Sequence, residues 1–237
     1  MILGLIPARL NSKRLKNKLL LNIREKPLII HTMQRAMKSK EIDRVYVCTD
    51  SKKVFRTVKK YKGNAIMTSS KYKNGTDRIA SVVKKFKCKL VVDIQGDEIF
   101  INYKIIDKLV DYHKKNMQYD IIVPCVKTRK YKDKSLVKFL FNEKREVLDM
   151  TREDVYHSFD KKNLYKQVDI ISFLPEKLQK FSNLKRTIVE KRKNIELQRA
   201  LDNNFKIKTF VVNTRSFSIN THKDFITAKK RYNYFCE

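Results

Sequence analysis

Apolar and polar positions fall in blocks along the first half of the chain, and the spacing within each block assigns its element. Residues 1–6 are an apolar run and read as a buried strand. After a basic loop, Leu28, Ile29, Met33, Ala36 and Met37 recur at helical spacing between Pro27 and Lys38, with Pro27 suited to the first helical position. Residues 44–48 predict the second strand, and Asp50 or Ser51 can cap the helix that buries Val54, Phe55 and Val58. A short third strand follows at 64–67. Ile79, Val82, Val83 and Phe86 then mark an amphipathic helix over 76–87, before a strand at 89–95 and a helix at 103–115. Strands alternating with helices imply the α/β class, with a mostly parallel central sheet flanked by helices on both faces.

From about residue 119 the pattern changes. A strand at 120–126 is followed by further strands at 137–150 and 167–173, separated by charged loops instead of crossover helices. That predicts an antiparallel excursion, a subdomain or dimer arm at about 127–186. Alternation returns with a helix near 188–203, a strand at 206–212 and a closing helix from about Thr221. No repeat or linker interrupts the chain, so residues 1–237 read as one domain.

With 237 residues, of which 42% are hydrophobic, the chain can bury a sizeable core. Cys48, Cys88, Cys125 and Cys236 form no C-x-x-C pair and the four histidines are scattered, which points away from a zinc site or disulfide framework and towards a reducing cytoplasm. No apolar run approaches the roughly 20 residues that cross a bilayer, so no membrane partner is expected. The net charge of +30 favours anionic partners. Yet the lysines, including Lys52, Lys53, Lys59, Lys60, Lys84 and Lys85, lie on nearly every segment instead of one stripe with interleaved aromatics. A nucleic-acid surface is therefore the weaker reading, and a polyphosphate substrate the stronger.

Two segments carry candidate chemistry. Residues 91–98, Val-Val-Asp-Ile-Gln-Gly-Asp-Glu, end an apolar strand in a glycine and a carboxylate pair. At the carboxyl end of a strand in an open α/β sheet, Asp97 would stand at the mouth of the ligand crevice and would suit Mg²⁺; the plainer alternative is a loop exit with solvated acids. The loop after the first strand reads Ile6-Pro7-Ala8-Arg9-Leu10-Asn11-Ser12-Lys13-Arg14-Leu15-Lys16-Asn17-Lys18-Leu19. Arg9, Arg14 and Lys18 could neutralise a triphosphate, although neither a P-loop nor a dinucleotide fingerprint is present.

The pattern Ile-Pro-Ala-Arg-x-x-Ser-x-Arg-Leu-x-x-Lys-x-Leu resembles the nucleotide loop of sugar-acid cytidylyltransferases, within the glycosyltransferase-A-like (Rossmann-like) nucleotidyltransferase superfamily. Residues 26–31 (Lys-Pro-Leu-Ile-Ile-His), 48–50 (Cys-Thr-Asp), 74–78 (Asn-Gly-Thr-Asp-Arg) and 94–98 (Ile-Gln-Gly-Asp-Glu) occur in the order and spacing of the 3-deoxy-manno-octulosonate (Kdo) cytidylyltransferase family. Weaker echoes at Thr151-Arg152, 187–201 and 218–224 extend the resemblance over nearly the whole chain.

That resemblance implies transfer of CMP from CTP to the anomeric hydroxyl of a 3-deoxy-2-ulosonic acid with release of pyrophosphate, Mg²⁺ as cofactor, a cytoplasmic homodimer, and a place in lipopolysaccharide or surface-glycan synthesis. Ala8, Arg9, Ser12, Arg14, Lys18, Thr49, Asp50 and Gly75 would bind the nucleotide, and Arg78, Gln95, Gln167 and Glu190 the sugar acid. Lys18, Arg14 and Asp97 would carry catalysis, and Asp97 with Asn220 would hold the metal. The chain departs from the family's pattern in four places. Asn220 stands where the family has an aspartate, Gln167-Val168-Asp169-Ile170-Ile171 replaces His-x-Gly-Ile-Tyr, Lys193 replaces a pocket acid, and Asn17 replaces a loop glycine. The alternatives are a paralogue that binds nucleotide without turnover and, in another class, a basic nucleic-acid-binding protein.

Overall fold

Ile2–Ala8 forms β1, and its alternation sets the layering of the molecule: Ile2, Ile6 and Ala8 enter one apolar core while Leu3 and Leu5 enter another on the opposite face. The protein is described here from a computed structural model covering residues 1–10, 12, 14–72, 74–156, 164–215 and 217–236, with Phe235 and Cys236 described by backbone alone. Asn11 and Lys13 of the basic loop lie outside the described residues.

A 3₁₀ turn at Lys18–Leu20 and a two-stranded hairpin, β2 (Asn22–Ile23) and β3 (Lys26–Pro27), lead into α1 (Leu28–Ala36). Pro27 caps that helix one position earlier than the sequence suggests. The alternation continues through β4 (Arg44–Thr49), α2 (Lys52–Lys60), β5 (Ala65–Met67), α3 (Gly75–Val83), β6 (Leu90–Ile94) and α4 (Tyr103–Lys114). Ser51 Oγ accepts the amide of Val54 at 3.3 Å to start α2, and Asn74 Oδ1 accepts that of Asp77 at 2.7 Å to start α3. β1 runs parallel to β4 on one side and β6 on the other, with β5 parallel beyond β4. Helices α1, α2 and α4 cover one face of this half and α3 covers the other.

The excursion is present and more elaborate than its sequence pattern. It comprises β7 (Ile121–Lys127), β8 (Lys138–Phe141), β9 (Val147–Thr151), β10 (Tyr165–Gln167) and β11 (Ile170–Phe173). β10 and β11 are two halves of one bent strand. β11 lies antiparallel between β6 and β7, whereas β10 lies antiparallel between β7 and β8, so Val168 and Asp169 sit at the bend. Next come α5 (Pro175–Asn183), α6 (Ile188–Lys193), α7 (Gln198–Leu201), β12 (Ile207–Val211), α8 (His222–Lys230) and α9 (Tyr232–Cys236). β12 pairs in parallel with β7, and a bridge between Glu146 and Lys208 joins it to the start of β9.

Two helical expectations need correction. The segment 188–203 is not one helix: Asn194 turns left-handed at φ 53°, which stops α6 before α7 begins, a conformation asparagine tolerates better than most residues. Helix α5 goes unread in the sequence because its buried stripe, Leu178 and Phe181 beside Leu174, is embedded among charged residues. Among the described residues no helix is long and apolar enough to cross a membrane.

Candidate active site

The carboxyl ends of β1 and β6 point the same way because the strands are parallel, and the chain after each contributes one wall of a crevice. Beyond β6, Gln95-Gly96-Asp97 turns tightly against β1. A Cβ on Gly96 would lie 3.2 Å from the Pro7 carbonyl and 3.4 Å from Leu19 and Ile29 side-chain atoms, so a larger residue would press the turn away from β1 by a few tenths of an ångström. Thr32 Oγ1 of α1 donates to the Gly96 carbonyl at 3.0 Å and fixes the turn from below.

The opposite wall is the basic loop. Asn17 adopts a left-handed conformation (φ 53°), which accounts for an asparagine serving where the family has glycine. It swings Lys18 towards the crevice, where Nζ is paired with Asp97 Oδ2, both side chains being largely buried. Arg14 Nη2 donates to Asn220 Oδ1 at 2.8 Å, and the Ile219 amide donates to the Asp97 carbonyl at 3.3 Å. Arg14 and Lys18 of the basic loop thus meet Asp97 and Asn220, both far away in sequence, at one place. Asp224 does not join them: its Oδ2 accepts the amides of Asn220 and Thr221 at 3.0 and 2.8 Å, closing the capping box of α8. Ala8 is buried at the end of β1, Ser12 is half-buried and Arg9 is exposed at the loop's start.

Behind Asp97 lies a second group of acids. Ser218 Oγ is hydrogen-bonded to Glu98 Oε1 and lies 3.0 Å from Asp169 Oδ2, while the amide of Gln95 donates to the Asp169 carbonyl at 3.4 Å. Burial, with Asp169 next, pushes the Glu98 carboxyl up to about 8. Burial and the charge of Asp97 raise Asp169 as well. Glu98 Oε2 is buried without a hydrogen-bond partner.

Deeper along β6, Gln95 Nε2 donates to both oxygens of buried Asp93 at 3.1 Å. Burial raises Asp93 well above the carboxylate range and moves Glu196, hydrogen-bonded to Thr76, up to about 7. Gln95, Asp77 and Glu196 are half-exposed around this cluster. Such a polar, partly protonated surface can both donate to and accept from a polyhydroxylated ligand.

The remaining expected residues support walls. Arg78 is 2% exposed, with Nη2 held by Asp50 Oδ2 at 2.9 Å and Nη1 by Thr68, so the open fork expected for a substrate carboxylate is instead an internal clamp between α3 and the end of β4. Asp50 is correspondingly engaged with Arg78, and buried Thr49 accepts the Ser51 amide at 3.1 Å. Gly75 opens α3, where a Cβ would stand 3.0 Å from the Pro7 ring. Glu190, expected to bind the sugar acid, is internal: it is 2% exposed and paired with Arg186 at 2.9 Å and Arg199 at 3.4 Å. Gln167 is half-buried on β10, away from the Lys18–Asp97 pair in the sheet order. Sequence reading missed Asp93, Asp169, Glu196 and Ser218 as site residues. The available signal was an acid interrupting an apolar run, at Asp93 and again at Asp169.

The sequence pattern of a family described as cytidylyltransferase matches residues 3–217. A 3-deoxy-manno-octulosonate cytidylyltransferase from Thermodesulfovibrio yellowstonii is 35% identical, with 97% of each chain covered. One of the same name from Rickettsia prowazekii is 34% identical over 98% of this chain and 94% of that protein. A solved structure described as CMP:2-keto-3-deoxy-manno-octonic acid synthetase complexed with CTP superposes with a TM-score of 0.92 at 27% identity, covering 98% of both chains.

The Arg78 clamp makes a separable prediction. Arg78→Ala leaves Asp50 without its partner and removes a buried side chain, and should lower folding stability by about 3 kcal/mol in denaturant titrations. Unchanged stability with only a weakened response to the sugar acid would restore the substrate-binding role.

Proposed function

This chain belongs to the cytidylyltransferase family, and from that premise we propose that it works as a 3-deoxy-manno-octulosonate cytidylyltransferase, forming CMP-Kdo and pyrophosphate from CTP and Kdo for lipopolysaccharide synthesis. The observation that carries the reading is the convergence of Lys18, Arg14 and Asp97 in the crevice at the ends of β1 and β6. Cations there match a triphosphate, and the carboxylate among them can take a divalent cation once a phosphate draws Lys18 away.

Asp97 fits Mg²⁺, which takes one or two carboxylates and completes its octahedron with water and substrate phosphates. The unpartnered Glu98 oxygen beside it marks a site with acceptor capacity to spare. When bound, the ion neutralises phosphate oxygens and favours ionisation of the attacking hydroxyl. The protein's own part is positioning. Arg9, Arg14 and Lys18 hold the phosphates in line, with Lys18 exchanging Asp97 for a phosphate oxygen. Gln95, Asp77 and Glu196 orient the sugar hydroxyls over Asp93. The anomeric oxygen forms its bond to the α-phosphorus as the bond from that phosphorus to the bridging oxygen breaks; the hydroxyl proton passes to solvent and pyrophosphate leaves. No side-chain nucleophile is needed.

Cys48, Cys88 and Cys125 are free thiols, in keeping with a cytoplasmic location. A second copy of the chain would pack on the β8–β9 hairpin, whose Leu140 and Leu148 are 44% and 58% exposed. Leu148→Asp should then halve the mass measured by light scattering; a monomeric wild type, or an unaltered dimer in the variant, would exclude that interface.

The assay is Mg²⁺-dependent pyrophosphate release from CTP with Kdo as acceptor. Asp97→Ala should lower the rate on the order of a thousandfold and Lys18→Met about a hundredfold, since both act where charge changes in the transition state. Release independent of Kdo, or undiminished in Asp97→Ala, would count against the assignment.

A further inference from the structure

The loss of a carboxylate at Asn220 raises the question of what supplies the second negative charge at the metal. Asn220 is poorly placed to help, because its amide oxygen already accepts from Arg14 at 2.8 Å and a neutral amide contributes no charge. Asp224, the nearest acid in sequence, spends one oxygen on two backbone amides of the α8 cap. Neither residue matches the pair that an Mg²⁺–nucleotide site calls for.

The bend between β10 and β11 offers another candidate. Asp169 is anchored to the turn that carries Asp97, since its carbonyl accepts the amide of Gln95 two residues before Asp97. Its side chain is tied to Ser218, two residues before Asn220, at 3.0 Å. Thus it sits between the two segments expected to bear the metal ligands. The strand pairing of Ile170 with Ile94 sets Asp169 beside the end of β6, and after burial the charge of Asp97 raises its carboxyl. Among the described residues no ion pair satisfies either Asp169 or Glu98, although Lys166 and Arg152 lie in the surroundings. Glu98 Oε2 adds a buried acceptor with no donor. Asp169 and Glu98, two neighbouring carboxyls joined through Ser218 with no ion pair to either among the described residues, are costly to hold ionised unless protonated or joined by a metal.

We propose that Asp169 supplies the second carboxylate of the divalent-metal site, standing in for the charge that Asn220 lacks. This inference rests on the cytidylyltransferase reading and deepens it. Among the described residues no three acidic, histidine or cysteine side chains close a cage by themselves. An Mg²⁺ ion there would be held by one or two carboxylates, with water and CTP phosphates completing its shell. Such a site also gives a physical sense to two departures from the family's pattern, since this chain carries an acid where the bent strand has glycine and an amide where the metal segment has an acid.

The test reads metal binding directly, through Mn²⁺ electron paramagnetic resonance with CTP present and without sugar, so that no turnover is involved. CTP affinity without metal is measured in parallel. Asp169→Asn keeps the shape and the Ser218 hydrogen bond, and should weaken Mn²⁺ binding by about tenfold or more while metal-free CTP binding is unchanged. Asn220→Ala should change Mn²⁺ affinity by less than about threefold. The double variant Asp169→Asn with Asn220→Asp should regain most of the loss, which a mere folding defect at 169 would not do. Undiminished Mn²⁺ affinity in Asp169→Asn, a larger loss in Asn220→Ala, or failure of the double variant to recover would overturn the inference alone. A wild type that does not bind CTP would overturn the functional reading and this inference with it.

Discussion

Lys18 and Asp97 face one another across the crevice from segments 79 residues apart, and much of the fold can be understood as the means of holding them there. The pair is largely withdrawn from water, so deleting either member would leave the other as an uncompensated charge. It also anticipates the ligands. A nucleotide phosphate can replace the carboxylate as the lysine's partner, and a divalent cation can replace the lysine as the carboxylate's. Each charge thereby holds the other in place until substrate divides them. Gly96, through its close approach to Pro7, and Asn17, through its left-handed turn, are the backbone devices that bring the two walls within reach.

The parallel half and the antiparallel excursion contribute differently to this site. β1, β4 and β6 present their carboxyl ends together, as their parallel order requires, and so collect the basic loop, the Thr49-Asp50 turn and Asp97. The bent β10–β11 strand instead reaches in from the side and delivers Asp169 beside the end of β6. Ser218, from the segment after β12, closes the arrangement by joining Glu98 to Asp169. Three chain regions therefore define one electrostatic environment, in which burial raises Glu98 and Asp169 against the opposing charge of Lys166.

How far the sequence discloses this depends on whether a feature is local. Strand alternation, a helix cap such as Ser51 and the glycine-acid turn after β6 all depend on neighbours within a few residues, and all are legible in the string. The α/β class and the crevice containing Arg14, Lys18 and Asp97 follow from them. Arg78 and Glu190 are harder to read, because a charged side chain in a motif looks the same whether it faces ligand or an internal counter-ion. Only the fold reveals Asp50 and Arg199 as their partners. Asp169 stayed hidden for a related reason: its meaning depends on a bend that brings residue 169 beside residue 97.

The central claim is that this crevice directs the anomeric hydroxyl of Kdo onto the α-phosphorus of CTP. Phosphorus NMR of a reaction with Kdo carrying ¹⁸O at the anomeric hydroxyl tests it most directly. The account predicts an isotope-shifted phosphodiester signal of CMP-Kdo, with the label bridging sugar and phosphorus, and pyrophosphate without label. Label in pyrophosphate, or a CMP product formed with water in place of the sugar oxygen, would contradict it.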